Sequence, residues 1–393
     1  MTTAYPPLAL HPENPHYLLF RGKPTTLITS AEHYGAVMNP DFDFIPYLDA
    51  LAACEFNLTR LFSGTYRELP GSHAIQNNTM APESDRYLCP WRCVERGPDG
   101  AALTWDLAQW DDVYWSRLRD FVAAAGERGV VVEYVLFCFF YADTLWEASP
   151  MHPTNNVNGV AVTDRNSSYT LENTHLLAIQ DALARKAAAE LADFDNVYFE
   201  VINEAYSSHD GDLTLDWQHH IVDTLVAAEA DLPQRHLIAI NYQNRVARIA
   251  DLHPDVDIIN FHYATPEAAA WNYHLDRPMA DDETGFKGST CSPYRTEAWA
   301  FMLSGGAVLS HLHDLVSHAP DGEVGHGGVA PPSQDHGSEA AFPRLPHNGP
   351  CAADHALDEL GGDGHGPGRH EALTGPLEHV LHLVAVEPLL LVV

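Results

Sequence analysis

Two acidic side chains stand where a folded chain could bring them to one reaction centre. The run Asn196-Val197-Tyr198-Phe199-Glu200-Val201-Ile202-Asn203-Glu204 is apolar, β-branched and aromatic until it ends in an Asn-Glu pair. Such a run reads as a buried parallel strand with a carboxylic acid at its C-terminal tip. A second run, Arg277 to Phe286, carries Glu283 just before the small turn Thr284-Gly285. Two carboxyl groups from two strand ends can share the cleavage of an O-glycosidic bond. One, protonated at rest, acts as general acid; the other, ionised, attacks the anomeric carbon. Glu204 is the candidate acid and Glu283 the candidate nucleophile, with carboxyl carbons expected about 5–5.5 Å apart for a retaining enzyme. Asn203 is placed to hydrogen-bond a sugar hydroxyl beside the reacting carbon, and Tyr263, ending another apolar run, to donate to Glu283 and hold it ionised. His33 is a candidate sugar contact, with a core position as its alternative. Glu200 shares the parity of Glu204 and is expected inside the barrel, paired with a basic or hydroxyl group.

Strand-like and helix-like segments alternate, as in an α/β protein with a parallel sheet. Residues 17–28 read as a hairpin leading into a first strand that ends near Ser30. Apolar residues at helical spacing follow from Asp41 to Cys54, then a second strand at 57–62. Residues 63–105 read as one long loop rich in Gly, Pro, Asn and aromatics, of the kind that lines a binding site. A helix at 110–127, a strand at 130–137, a helix at about 170–192 and the Glu204 strand come next. Further along lie a helix at 215–230, strands at 236–241 and 256–263, a short helix at 243–251, the Glu283 strand, a helix at 293–303 and a last strand at 306–309. Eight strands with intervening helices in about 290 residues is the count of a (β/α)8 TIM barrel. The expected organisation is an N-terminal extension and hairpin at 1–26, a catalytic barrel at 27–318 and a low-order tail at 319–393.

On these residues the chain resembles glycoside hydrolase clan A, the TIM-barrel glycosidases that include the family 5 cellulases. In that clan an acid/base Glu follows an Asn at the end of the fourth strand and the nucleophile Glu ends the seventh, positions matched here by Asn203-Glu204 and Glu283, 79 residues apart. Arg60 matches the second-strand arginine and His262-Tyr263 the polar pair of the sixth. The segment Thr29 to Gly35 and the run Asn57-Leu58-Thr59-Arg60 look like a cellulase-like group within the clan, and the resemblance covers roughly residues 12–310. It implies a retaining glycosidase with Arg60, His262 and Tyr263 among the substrate-binding residues. Arg60 has a second reading, as the internal partner of Glu200. The sequence departs from the pattern at Ala205, where the clan usually has proline, and near the eighth strand. There the clan commonly offers an aromatic sugar platform and this chain offers Ser310-His311-Leu312-His313-Asp314.

The formal charge of −33 and the three lysines, Lys23, Lys186 and Lys287, argue against nucleic acid and anionic membrane surfaces, since phosphate neutralisation needs clustered Lys and Arg. A neutral oligo- or polysaccharide is the expected partner. No cofactor and no metal are expected, because an active-site metal would need a first-strand His-x-His and the strand offers only His33. Two alternatives remain: a non-catalytic carbohydrate-binding barrel, and a metal-dependent barrel hydrolase. Cys54 and Cys138 read as buried thiols, and Cys89-Pro90-Trp91-Arg92-Cys93 as a weak candidate for a small bridge. The N-terminus has no basic start and no apolar core of secretory length, so cytoplasmic location is expected. From about residue 311 the composition changes abruptly. Eleven of the 24 histidines fall between His311 and His382, and no Lys, Tyr, Trp or Ile follows Trp299. This composition is expected to be disordered, and its abruptness is the pattern that out-of-frame translation would leave.

Overall fold

The computed structural model describes residues 5–30, 33–74, 78–205, 211–285, 287 and 291–312, with two short strands at 317–318 and 324–325. The expected low-order tail at 319–393 lies, apart from residues 324–325, outside the described residues. By packing, the chain divides into one unit of residues 1–286 with 297–332 and another of 287–296 with 333–393. The second unit is described only at Lys287 and at the first turns of one helix.

The first unit is a (β/α)8 barrel. Three short antiparallel strands come first: β1 (Ala9–Leu10), β2 (Leu18–Phe20) and β3 (Lys23–Thr25). The barrel strands are β4 (Leu27–Ile28), β5 (Leu58–Phe62), β8 (Val131–Cys138), β9 (Val197–Asn203), β10 (Ile238–Asn244), β11 (Ile258–His262), β12 (Met279–Thr284) and β13 (Gly306–His311). All pair in parallel, in the order β4-β13-β12-β11-β10-β9-β8-β5. The seam between β4 and β5 is closed by Asn57. Its backbone N–H donates to the Ile28 carbonyl at 3.1 Å, its side-chain oxygen accepts from Ile28 N–H at 2.7 Å, and its amide donates to the Thr26 carbonyl at 2.8 Å. A two-residue strand cannot close a barrel by ladder pairing alone; the asparagine supplies the missing bonds.

The connecting helices are α1 (Phe44–Ala53), α2 (Asp112–Glu127), α3 (Asp143–Glu147), α4 (Thr174–Leu191), α5 (Gly211–Glu229), α6 (Pro266–Asn272) and α7 (Cys291–Leu303). Asp43 and Asp111 cap α1 and α2 through their carboxylates, as aspartates before an apolar-periodic run should. Leu8, just before β1, and Leu18 and Phe20 of β2 cluster with Leu58, Val131, Ile258 and Val308 near the strand starts. Arg21 ties the hairpin down through Asp195 at 2.6 Å and the Gly126 carbonyl at 2.9 Å.

Two sequence expectations are corrected. Within residues 63–105 lies the start of a hairpin, β6 (Trp91–Arg96) with β7 (Ala102–Trp110), whose Trp91 and Trp105 are buried with Tyr87 and Leu107. Aromatic residues spaced by turn formers had masked a two-stranded pattern. Residues 245–251 are not helical: Arg245 takes a φ of 65°. The segment is instead held by Asn272, which accepts from Ile249 N–H at 2.9 Å and donates to the Ala247 carbonyl at 2.8 Å. Its apolar residues Val246 and Ile249 face the β11–β12 side of the core, so the helix-like spacing reflects contact with neighbours. Cys54, Cys89, Cys93 and Cys138 are unbridged thiols. Among the described residues no helix is long and apolar enough to cross a membrane.

Candidate active site

Side chains on a strand alternate between faces, so consecutive polar residues should not both reach a barrel mouth. At three strand ends the backbone departs from that rule. Glu204 follows β9 with a φ of 53°, and Tyr263 follows β11 with a φ of 50°. Left-handed conformations are uncommon for non-glycine residues and gather where the surrounding structure enforces them. The Glu204 N–H donates to Asn241 Oδ1 at 3.2 Å and the Tyr263 N–H to the Glu283 carbonyl at 2.7 Å, which anchors both turns. On β12 the ladder with β11 pairs Phe261 with Asp281 and then His262 with Glu283, so Asp282 is an inserted residue. This bulge lets Asp282 and Glu283 both contact interior groups, whereas a regular strand would send one away.

The two glutamates meet over His262. A carboxylate oxygen of Glu204, one of Glu283 and a ring nitrogen of His262 all lie within 4.8 Å of one another. His262 Nδ1 is 3.2 Å from Glu204 Oε1 and 3.5 Å from Glu283 Oε2. Glu204 Oε2 also accepts from the Tyr141 hydroxyl at 2.6 Å, and Tyr141 in turn accepts from Asn203 Nδ2 at 2.8 Å. Glu283 Oε1 accepts from the Tyr263 hydroxyl at 2.7 Å, and its Oε2 accepts from Arg60 Nη1 at 3.3 Å.

Beneath this pair the barrel interior is ionic, where such barrels usually stack branched aliphatics. Arg60 has no exposed surface. It contacts Glu200 at 2.8 Å, Glu133 at 3.3 Å, Asp282 at 3.4 Å and Glu283 at 3.3 Å, and donates to Asn203 Oδ1 at 2.8 Å. Asn260 donates to Glu200 Oε1 at 3.0 Å and to Asp282. One guanidinium cannot neutralise four carboxylates, so protons must make up part of the balance. Burial pushes Glu133 well above the usual carboxylate range, and Asp282 and Glu200 add to the rise. Burial and then Asp282 also raise Glu200, with Arg60 pulling back. Asp282 goes the other way: burial opposes its charge, but Arg60 and His262 hold it below the ordinary value. Burial raises Glu283 and Glu204 adds to it, while His262, Arg60 and the Tyr263 hydroxyl draw it back. Burial disfavours a charged His262, yet Glu283, Asp282 and Glu204 outweigh it and hold the ring well above the usual histidine range.

Of the residues singled out from sequence, Asn203, Glu204, His262, Tyr263, Glu283 and Arg60 come together in this one network. Arg60 lies under the carboxylates and pairs with Glu200, the second of the two readings open to it. His33 is buried against Phe42 and Tyr47, with ring centroids 4.5 and 4.6 Å away. Sequence reasoning missed Tyr141, Glu133 and Asp282. Tyr141 stands just past a strand end, a position that could have flagged it; Asp282 looked like part of an acidic turn. Two triads could converge on a cation, Glu204-His262-Glu283 and Glu200-His262-Asp282. In both, the ring nitrogens stand at hydrogen-bonding distance from the carboxylates, 3.2 Å for Glu204 and 3.1 Å for Asp282.

No family model and no curated protein matches the chain. Solved structures do. A Bacteroides vulgatus protein provisionally named a glycoside hydrolase aligns with 79% of this chain at 15% identity and a TM-score of 0.54. The chain spans 55% of that protein's length. An endo-β-1,4-mannanase from Thermotoga petrophila aligns over 75% of this chain and 69% of its own at 14% identity and a TM-score of 0.51. The endo-1,4-β-mannanase of Rhizomucor miehei aligns over 79% and 89% at 12% identity and a TM-score of 0.50. The fold is thus the (β/α)8 barrel that these solved structures share, and the resemblance seen in the sequence stands at the level of the fold.

Proposed function

We propose that this chain is a retaining glycoside hydrolase acting on a neutral oligo- or polysaccharide, with Glu204 as acid/base and Glu283 as nucleophile. The observation that carries the reading is the approach of these two carboxylates, within 4.8 Å oxygen to oxygen, from the ends of the fourth and seventh barrel strands. A pair that close leaves no room for a water between the second carboxylate and the anomeric carbon, as inversion requires, and suits direct attack. Glu283 attacks the anomeric carbon as Glu204 gives its proton to the leaving oxygen; Glu204 then takes a proton from the water that hydrolyses the glycosyl ester. Asn203 is a candidate for the sugar hydroxyl next to the reacting carbon. Arg60 acts through Glu283 and Asn203, and its burial argues against direct contact with sugar.

The test is turnover of a panel of aryl β-glycosides and of β-1,4-linked glucan and mannan, with and without chelator, with the anomer of the first product read by NMR. Retention that chelator does not affect is the expected result. Inversion would remove the nucleophile role, and loss of activity with chelator would favour a metal-dependent hydrolase. Binding without turnover would mean a carbohydrate-binding barrel.

A further inference from the structure

Among the described residues His262 is a ring within reach of both glutamates, and its other nitrogen is occupied too. Nε2 lies 3.1 Å from Asp282 Oδ1, while Nδ1 lies 3.2 Å from Glu204 and 3.5 Å from Glu283. Both His262 and Asp282 are fully buried. The ring is faced by Glu200 from β9, by Glu204 just past it, and by Asp281, Asp282 and Glu283 from β12. Arg60 of β5 is the other cation of the cluster, 3.4 Å from Asp282. A neutral imidazole carries one N–H and can serve either Asp282 or the mouth; only the doubly protonated ring donates on both sides. Asp282 is itself fixed by Arg60 and by the Asn260 amide, on the interior face of β12 that it shares with Ala280.

We propose that Asp282 is a positioning residue acting through His262: its charge, 3.1 Å from Nε2, keeps the ring in its two-proton form, with Nδ1–H aimed between Glu204 and Glu283. The consequence is a fixed cation nearly equidistant from both carboxyls. Before attack the negative charge is on Glu283 and the proton on Glu204. After attack Glu283 is bonded to the anomeric carbon as an ester, the Glu204 proton has gone to the leaving oxygen, and the charge is on Glu204. The histidine loses no proton, and the net charge of the three groups is unchanged. A cation that need not move as the charge relocates is preorganised for both steps.

The role of Asp282 in protonating His262 stands on geometry alone; only its kinetic consequence rests on the proposed glycosidase activity. The variant is Asp282→Asn, which keeps an acceptor oxygen and removes the charge. The first readout is 15N NMR of histidine-labelled protein, with the His262 signal identified by its loss in His262→Gln. In the unmodified protein His262 should stay doubly protonated through the range where an ordinary histidine titrates, near pH 6.5. In Asp282→Asn it should become neutral within that range. A ring already singly protonated at neutral pH in the unmodified protein overturns the proposal, whether or not the variant folds, as does an unchanged ring in the variant. The second readout is the pH profile of kcat/KM. Glu283, deprived of its cation, should protonate at higher pH, moving the acidic limb up by about one unit. A lower kcat with the limb unmoved would indicate a merely structural role and overturn the proposal. If no glycoside is turned over, the glycosidase reading fails while the NMR measurement still decides this one.

Discussion

The ends of β9 and β12 each bring two consecutive polar residues to bear on the same centre, by different backbone devices. At β9 the chain turns left-handed at Glu204, and Asn203 and Glu204 both meet the Tyr141 hydroxyl. At β12 an inserted Asp282 bends the strand, and Asp282 and Glu283 both contact the interior. The environments differ accordingly. Glu204 is met by the neutral hydroxyl of Tyr141 and by His262. Glu283 is met by Tyr263, by His262 and directly by the Arg60 guanidinium at 3.3 Å. The Arg60 guanidinium favours charge on Glu283, against the burial that raises that carboxyl. The difference between the two strand ends is what would divide the labour of acid and nucleophile.

The comparison breaks most completely at Glu283. Glu283→Ala should lower kcat by on the order of 10⁵-fold or more, as removal of a covalent nucleophile does, with an unchanged circular dichroism spectrum; retained turnover would remove β12 from the chemistry. Glu204→Ala should cost about 10²–10⁴-fold on substrates with poor leaving groups and much less on activated aryl glycosides. Equal losses on both would show that the β9 carboxyl is not the acid.

Sharper still is Tyr263→Phe. Losing one hydrogen bond to a charged group costs about 1.5–3 kcal/mol, so kcat/KM should fall roughly 10- to 100-fold. Because the Tyr263 hydroxyl holds the Glu283 carboxyl down, the acidic limb should also move to higher pH. A uniform loss with no movement of the limb would separate Tyr263 from Glu283 ionisation.

The smallest effect concerns the floor beneath β12. Burial, with Asp282 and Glu200, raises folded Glu133 above its ordinary value of 4.5, so the folded chain holds a proton that the unfolded chain releases. That contribution to stability is fully present below the ordinary value and is lost as pH rises toward the folded one. The slope is about 1.4 kcal/mol per pH unit. Glu133→Gln has no such proton to lose. Its stability should therefore gain on the unmodified protein by about that slope between roughly pH 5 and the folded value, as read by urea denaturation at successive pH values. A constant difference would mean that Glu133 titrates as an exposed carboxylate.

Much of this was legible in one sequence. The β9 run could be read because Val197 to Ile202 are buried without interruption on both faces, which gives an apolar string broken only by Glu200. The strands bearing Glu133 and Arg60 were legible for the same reason. The β6–β7 hairpin and the irregular 245–251 segment were not. Their apolar residues are satisfied by contacts with loops and with α6, so they follow no period of their own.

Local chemistry written in the chain determined the barrel, the two glutamates and, of the groups around them, Asn203, Arg60, His262 and Tyr263, but not Tyr141, Glu133 or Asp282. Alternation of apolar strands with amphipathic helices requires a shared core, and Asn-Glu at a strand tip requires a carboxyl at its mouth. Strand parity, the one rule available for orienting side chains, assigns Asp281 and Glu283 to one face and Asp282 to the other. Only the tertiary structure, through the β12 bulge and the left-handed turns at Glu204 and Tyr263, turned Glu283 onto the interior face that Asp282 shares with Ala280 and set His262 under both glutamates. Those distortions are set by pairing with neighbouring strands and by a buried arginine far away in sequence, forces that no local pattern of residues records.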